Sequence, residues 1–250
     1  MGGSGSLTDA ELSEYAGLGA EDLLAWALRR YGPRIALASS FGAEDVVILD
    51  MMSRLGGGHA FTLDTWRLPQ ETYDVIDAIR GRYGIDVEVY TPDAAAVERM
   101  IRLHGYNLFY ASVDLRRMCC GIRKVEPLER ALRGLDAWIT GLRRDQEPSR
   151  RNTRKVERDA LRPGKIKVSP LADWTWDAVW AYIREHDVPY NKLHDRGYPS
   201  IGCAPCTRAV APGDDLRAGR WWWERDTAKE CGLHADPFAS APRVAGLGGR

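Results

Sequence analysis

Cysteine is scarce, with five in 250 residues, far too few for the dense disulfide framework of a small secreted domain. Net charge is absent as well. The 35 lysines and arginines are balanced by 35 aspartates and glutamates, so no overall field draws the chain to nucleic acid or to an anionic membrane. No apolar run approaches the roughly 20 residues that span a bilayer. No charged-then-apolar export signal opens the chain, and "MGGSGS" reads as a flexible leader. The expected compartment is therefore the cytoplasm, where thiols stay reduced and cysteines are better read as metal ligands or nucleophiles than as staples. Internal repeats are lacking too. Tryptophan, by contrast, is plentiful, and the three that adjoin at 221–223 are read as core or interface packing.

What is present is an alternation of strands and helices. "TDAE" (Thr8 to Glu11) has capping-box spacing, and "EDLLAWALRRY" carries apolar residues at helical intervals. A short apolar run, Ile35 to Ala38, enters a small-residue turn, and an amphipathic helix starts near Ala43. "HAFTLDT" and the helix starting around Pro69 repeat the arrangement. "DVEVY" and "AAVERMIRLHG" repeat it again, and "DAWITG" supplies a fourth strand. This alternation predicts an α/β fold, a parallel sheet flanked by helices. Ligands in such sheets bind beyond the carboxyl ends of the strands, here "SSFG", "LDTW" and "TGLRRDQ". From about residue 142 the pattern changes to a polar, arginine-rich stretch without apolar period. A short strand, a tryptophan-rich helix and a turn-rich loop follow. The predicted organisation is a leader and N-terminal helix over 1–19, a nucleotide-binding domain over 20–220 and a C-terminal segment over 221–250.

Several short stretches carry candidate chemistry. In "SSFGAED" the turn Ser39, Ser40, Phe41, Gly42 precedes a helix, so its backbone N–H groups are expected to suit a phosphate or sulfate. It lacks the Lys-Ser/Thr ending of a nucleoside-triphosphatase loop. Asp64 and Thr65, in "LDTW", stand at a neighbouring strand end, where they could meet a base or ribose. Arg143, Arg144 and Arg151 form an arginine run after the fourth strand, and Arg217 and Arg220 lie in "DDLRAGR". Guanidinium forks match phosphate and sulfate oxygens. Cys119 and Cys120 with the C-x-x-C pair Cys203 and Cys206 could hold zinc or an iron–sulfur cluster. Adjacent cysteines separate their sulfurs less freely, which favours a [4Fe–4S] cubane. The fifth cysteine, Cys231, is flanked by Lys229 and His234, and positive charge nearby raises the thiolate fraction.

Taken together, "SSFGAED", "LDT", "CCGIRKVEPL", "TGLRRDQ", "GCAPCTRAV", "AGRWWWE" and "KECGLH" resemble the assimilatory adenylyl-sulfate (APS) reductases. These are the cluster-containing branch of the family that also acts on the 3′-phosphorylated substrate (PAPS). The resemblance covers the chain from about residue 20 to 235. It implies a nucleotide α-hydrolase, ATP-pyrophosphatase-like fold. It also implies a [4Fe–4S] cluster on Cys119, Cys120, Cys203 and Cys206, and a nucleophile at Cys231 on a mobile tail. Lys124 would lie between cluster and sulfate, and Arg217, Arg220 and His234 would gather around the phosphosulfate, with Arg151 a looser match. The chain departs from the family pattern at Trp66, where glycine is usual.

The chemistry of the residues leads to the same mechanism. Reducing sulfate to sulfite takes two electrons, and a single cluster passes one at a time. A thiolate at Cys231 could attack the sulfur, expel AMP and leave an S-sulfocysteine. Four cysteines are then metal-bound, so the second thiol must come from outside, from thioredoxin or a glutaredoxin-like donor. The substrate expected is APS rather than PAPS, with no nucleic-acid or membrane partner and room for a homo-oligomer. The other readings are a PAPS reductase, a tRNA-thiolating sulfurtransferase and an iron–sulfur nucleic-acid sensor. The sulfurtransferase would need an S-G-G-x-D-S loop that Ser39 to Asp45 does not provide. A neutral chain argues against the sensor.

Overall fold

The computed structural model describes residues 7–224 and 232–234. Six strands form one sheet in the order β3-β2-β1-β4-β6-β5. They are β1 Ile35–Ser39, β2 His59–Leu63, β3 Val87–Tyr90, β4 Ala137–Ile139, β5 Val156–Arg158 and β6 Ile166–Val168. The helices are α1 Asp9–Ala16, α2 Ala20–Tyr31, α3 Ala43–Arg54, α4 Gln70–Tyr83, α5 Ala94–His104, α6 Val113–Cys120, α7 Glu126–Ala131 and α8 Trp176–Glu185. No helix among the described residues is long and apolar enough to cross a membrane.

Side-chain alternation divides the strands between two cores, as a period of two requires. Ile35 and Leu37 of β1, Ala60 of β2 and Ala137 and Ile139 of β4 join the larger core under α2, α3, α4 and α8. Ala36, Phe61 and Trp138 point to the other face, against Leu128, Ala131 and Leu132 around α7. The predicted capping box is present: Thr8 Oγ1 accepts from the Glu11 N–H and Glu11 accepts from the Thr8 N–H. It starts α1, whose Leu12, with the preceding Leu7, is buried in the larger core.

The sheet departs from the all-parallel expectation at one edge. β1 pairs in parallel with β2 and β4, β2 with β3, and β4 with β6, but β5 runs antiparallel to β6. The arginine-rich stretch read as having no apolar period thus contains a strand. It is three residues long with Val156 alone fully buried, too short for periodicity to register. Arg158 anchors it by donating to Asp9 Oδ1 at 2.7 Å and to the Leu7 carbonyl at 2.6 Å.

The region around the paired cysteines holds a second unpredicted feature. α6 runs without a break into a π-helical turn, Gly121–Val125, and on into α7. The Glu126 N–H reaches the Gly121 carbonyl, five residues back, a register that recurs at functional sites. α6 ends on Cys119 and Cys120, and a satellite core of Met100, Leu108, Phe109 and Trp221 gathers Cys120, Cys203 and Cys206.

The chain leaves β1 toward β2 and β3, then returns to the other side of β1 as β4. That reversal opens a crevice at the carboxyl ends of β1 and β4. Gly141, just past β4, closes its floor. A Cβ there would overlap the Asp45 carboxylate and lie 2.9 Å from Glu44 Cβ. Gly141→Ala is therefore expected to lose about 1–3 kcal/mol by overpacking, read as a lower thermal midpoint. An unchanged midpoint would show that this close approach is not a constraint.

Candidate active site

A cavity of about 200 Å³ occupies the crevice. Its floor is the β1–α3 turn, and Ser39, Ser40 and Gly42 line it. The turn does not offer the free N–H groups expected of it. The Ser40 N–H and Oγ–H both donate to Asp45 Oδ2, at 2.6 and 2.8 Å, and the Phe41 N–H donates to Ser39 Oγ at 3.1 Å. Asp45, one helical turn on, bends back and fills the cradle. Phe41 does not line the cavity: its ring is fully buried in the larger core, and burial holds its backbone at φ 57°. Burial pushes the Asp45 carboxyl up to about 6; the Ser40 donors pull it down, and neighbouring Glu44 adds to the rise.

The far wall is cationic. Arg143 is wholly buried and donates to Glu44 Oε1 at 2.9 Å and Asp145 Oδ2 at 3.1 Å. Arg150 and Arg217 line the cavity, and each pairs with Glu147 behind the wall, at 2.8 and 2.9 Å. Arg144 and Arg151 point elsewhere. Arg144 is exposed and donates to the Thr153 carbonyl, and Arg151 is exposed on the following turn. Sequence reasoning thus named Arg151, while Arg150 faces the cavity; adjacent residues on a 3₁₀ turn point in different directions. Asp64 is also off the wall, accepting from the Trp66 N–H at 2.8 Å and the Tyr73 hydroxyl at 2.9 Å.

Trp66 lies in the left-handed region at φ 58°, its side chain largely exposed and away from the cavity. That backbone is the reason glycine suits the position; the tryptophan strains the turn without entering the site. His194 lines the cavity in the turn after α8, with the Trp176 and Trp180 rings edge-on at 5.9 and 5.3 Å. Burial lowers its pKa and favours the neutral ring. Nothing in a turn-rich loop marked it from sequence. His234, in the short described stretch 232–234, lines the cavity and stacks on Trp138 at 5.5 Å, with planes 7° apart. Cys231 lies outside the described residues; Gly232, next in sequence, is within them.

A second, smaller cavity adjoins the first. Cys119, Cys120, Cys203 and Cys206 all line it, with Arg67, Arg116, Arg123, Lys124 and Arg220 and no carboxylate. Lys124, Arg220 and Trp221 line both cavities. Donors surround the sulfurs. Thr65 Oγ1 lies 3.2 Å from Cys203 Sγ, Arg123 hydrogen-bonds Cys119, and Arg116 hydrogen-bonds Cys120. Arg123, buried, also donates to the Thr65 carbonyl at 2.6 Å. Burial pushes the Cys206 thiol up to about 12, with Cys203 adding to the shift, and burial likewise raises Cys119. As free thiols these two would be protonated and inert at neutral pH. Among the described residues no three His, Cys, Asp or Glu side chains converge on a single ion.

Residues 220–224 are fastened to this cavity. The Trp221 N–H donates to the Cys206 carbonyl at 3.2 Å. Arg116 clamps Glu224 through Nε and Nη2, at 2.8 and 2.9 Å, with both side chains buried. Its guanidinium also lies over the Trp221 ring at 4.6 Å. Arg220 threads past Gly202, where any Cβ would overlap its guanidinium. Neither Arg116 nor Glu224 carried a sequence signal, because the pair is 108 residues apart.

The family model described as the phosphoadenosine phosphosulfate reductase domain matches residues 34–209. The chain belongs to that family. The adenosine 5′-phosphosulfate reductase of Burkholderia cepacia is 50% identical over 216 residues, 86% of this chain and 86% of that protein. Its counterpart in Allochromatium vinosum is 50% identical over 206 residues, 82% and 80% of the two chains. Among solved structures of the family, the phosphoadenylyl-sulfate (PAPS) reductase of Candida auris, a phosphate complex, is 31% identical with a TM-score of 0.70. It matches 83% of this chain and 100% of that one. The FMN adenylyltransferase of Candida glabrata, solved with FAD and inorganic pyrophosphate, shares 14% identity at a TM-score of 0.54, over 93% and 81% of the two chains. That is a likeness of fold alone.

Two measurements probe the charges of the site. For Asp45 the folded-state value, about 6, exceeds the ordinary 3.8. Between those pH values the folded chain keeps a proton that the unfolded chain has released. Stability therefore falls as pH rises through the window. Relative to Asp45→Asn, the wild type is expected to lose on the order of 3 kcal/mol between pH 4 and pH 7, measured by urea unfolding; a constant difference would refute the shift. For the buried clamp, Arg116→Met should cost about 3–5 kcal/mol by stranding the Glu224 carboxylate. The double variant Arg116→Met/Glu224→Leu should recover most of that loss. Additive losses in a denaturant cycle would mean that the two charges are not coupled.

Proposed function

We propose that the chain reduces adenosine 5′-phosphosulfate to sulfite and AMP, using Cys231 as nucleophile and an external protein dithiol of the thioredoxin type as reductant. The observation that carries this reading is the shared wall. Lys124 and Arg220 line both the crevice cavity and the thiol-lined cavity, so one substrate end would meet two cations beside the four cysteines. The substrate is taken from the relatives named adenosine 5′-phosphosulfate reductase.

The four cysteines fit a [4Fe–4S] cluster. An all-thiolate cluster is anionic, and the cavity offers four thiols and five cationic side chains without an acid. Four cysteines on one cavity wall, with no histidine or carboxylate among them, suit an all-thiolate cluster. Cys119, Cys120, Cys203 and Cys206 would hold it, and when bound it would supply a redox-capable anionic centre next to the substrate's sulfate end.

The protein's own residues account for the rest. Arg150 and Arg217 bind the phosphosulfate, and Lys124 and Arg220 neutralise charge on the sulfate as its bond to phosphate breaks. His234, stacked on Trp138, forms a wall of the cavity three residues after Cys231. The Cys231 thiolate attacks sulfur, the S–O bond breaks, and AMP departs with the electron pair, leaving an S-sulfocysteine. An external thiolate then attacks Cys231 Sγ, sulfite leaves, and a mixed disulfide forms. A second thiol of the donor resolves it and restores Cys231. The two thiols of the donor supply the two electrons.

Incubation with APS and no thiol should produce a sulfite-mass adduct on Cys231 and AMP in equal amount, with thioredoxin then discharging the adduct. The protein as isolated should hold about four irons per chain. Cys231→Ser should keep the iron and form no adduct. Sulfite release at the normal rate from Cys231→Ser would overturn the mechanism.

A further inference from the structure

Two guanidiniums of the cavity wall come from separate segments, and one carboxylate holds both. Glu147 precedes the 3₁₀ turn Pro148–Arg150, so Arg150 is three residues on and projects to the same side. Its Nε lies 2.8 Å from Glu147 Oε1. Arg217 arrives from the loop before Trp221, where its N–H is fixed by Asp215 Oδ1 at 2.8 Å. Its Nε lies 2.9 Å from the other oxygen, Glu147 Oε2. Each oxygen thus lies within ion-pair distance of the stem-side nitrogen of one arginine. Both arginines line the cavity and Glu147 does not, so the carboxylate acts from behind the wall. All three side chains are 11–13% exposed, shielded enough for charge interactions to exceed those of a surface pair. Arg150 is steadied further by Gln146, whose Oε1 accepts from Nη1 at 2.6 Å while its amide donates to Glu44 and to the Gly141 carbonyl.

Without the shared acid, two cations side by side would repel each other and part. With it, the trio carries one net positive charge and holds two guanidiniums in a fixed relation. The trio also stands apart from the cations that line the thiol cavity. Arg150 and Arg217 line only the crevice cavity, whereas Lys124 and Arg220 also line the thiol cavity.

We propose that Glu147 is a positioning residue that sets Arg150 and Arg217 as a paired clamp for the nucleotide's phosphate, leaving Lys124 and Arg220 to the sulfate that is reduced. This rests on the function proposed above and assigns its charged groups to the two halves of the substrate. A phosphate clamp acts on substrate and product alike, because AMP keeps the phosphate and lacks the sulfate. Its loss weakens the binding of both, the signature of binding shared by substrate and product, and reaches the bond-breaking step only through the charge that the departing phosphate gains.

The test measures AMP affinity by calorimetry, KM for APS, and the single-turnover rate of adduct formation at saturating APS. Glu147→Gln, which keeps shape and loses charge, should raise the AMP Kd and the APS KM together by about tenfold, with the single-turnover rate within about threefold of wild type. Glu147→Asp, which restores the charge on a shorter arm, should fall between the two and serves in its place if the glutamine variant does not fold. Lys124→Ala should give the converse: AMP Kd within about twofold and a large loss in single-turnover rate. An unchanged AMP Kd in Glu147→Gln, or a slowed cleavage step with AMP binding intact, overturns the assignment. Failure of the wild-type protein to bind AMP at all is a separate outcome, and it removes the nucleotide reading together with the clamp.

Discussion

A parallel sheet that grows outward from β1 in one direction and then resumes on its other side must leave a gap where the two connections part. Here the gap lies at the carboxyl ends of β1 and β4, and the rest of the site is arranged around it. α3 begins on one side of the gap and the Gly141 turn on the other. They approach so closely that only a residue without Cβ fits between the β4 end and Asp45. The segments that follow the core, the arginine-rich turns and the loop carrying Cys203 and Cys206, then wall the opening. Helix packing on both faces makes the sheet rigid, and rigidity is what lets side chains from such distant segments stay in register.

The protein's neutrality conceals a concentrated internal field. Arg116, Arg123, Arg143 and Arg220 are all buried, and burying a cation costs several kcal/mol unless it is paired. The pairing is asymmetric. Arg116 and Arg143 have carboxylates of their own, Glu224 and Glu44. Arg123 finds a carbonyl and a thiol, and Arg220 finds carbonyl and hydroxyl oxygens and the Trp221 ring. The thiol cavity therefore has positive potential that no carboxylate on its own wall cancels. An anionic occupant of the kind proposed above would add an interaction that no carboxylate on that wall makes, and filling the cavity would then stabilise the fold.

Much of this could be read in the sequence, and what could not has identifiable causes. Helices α2 to α5 and α8 were visible through their apolar residues at helical spacing, and strands β1 to β4 as short apolar runs that alternate with those helices. The antiparallel β5 was not, since three residues pair through backbone and show no period. The α6–α7 run went unread, and it contains Gly121 and Pro127, residues that disfavour a helix interior. The π turn accommodates both, because Pro127 lacks the N–H that the shifted ladder would have to satisfy. At the site, the chemistry of single residues was legible: cysteines, the lysine beside them, arginines at strand ends. Second partners were not. Glu147, Glu224 and Asp45 matter through residues that only the fold brings to them, and a carboxylate among 35 acids carries no mark of that.

The π turn also sets a phase. One additional residue in a helical turn rotates everything after it by about 100° relative to everything before. Upstream of Gly121 the helix shows its cysteines to the satellite core; downstream, Leu128 and Ala131 face the sheet. Between the two, Arg123 turns to the Thr65 carbonyl while Lys124 lines both cavities. A regular α-helix through the same residues could not satisfy both halves at once. Shortening the turn by one residue would leave the sulfurs and the sheet competing for a single helical face.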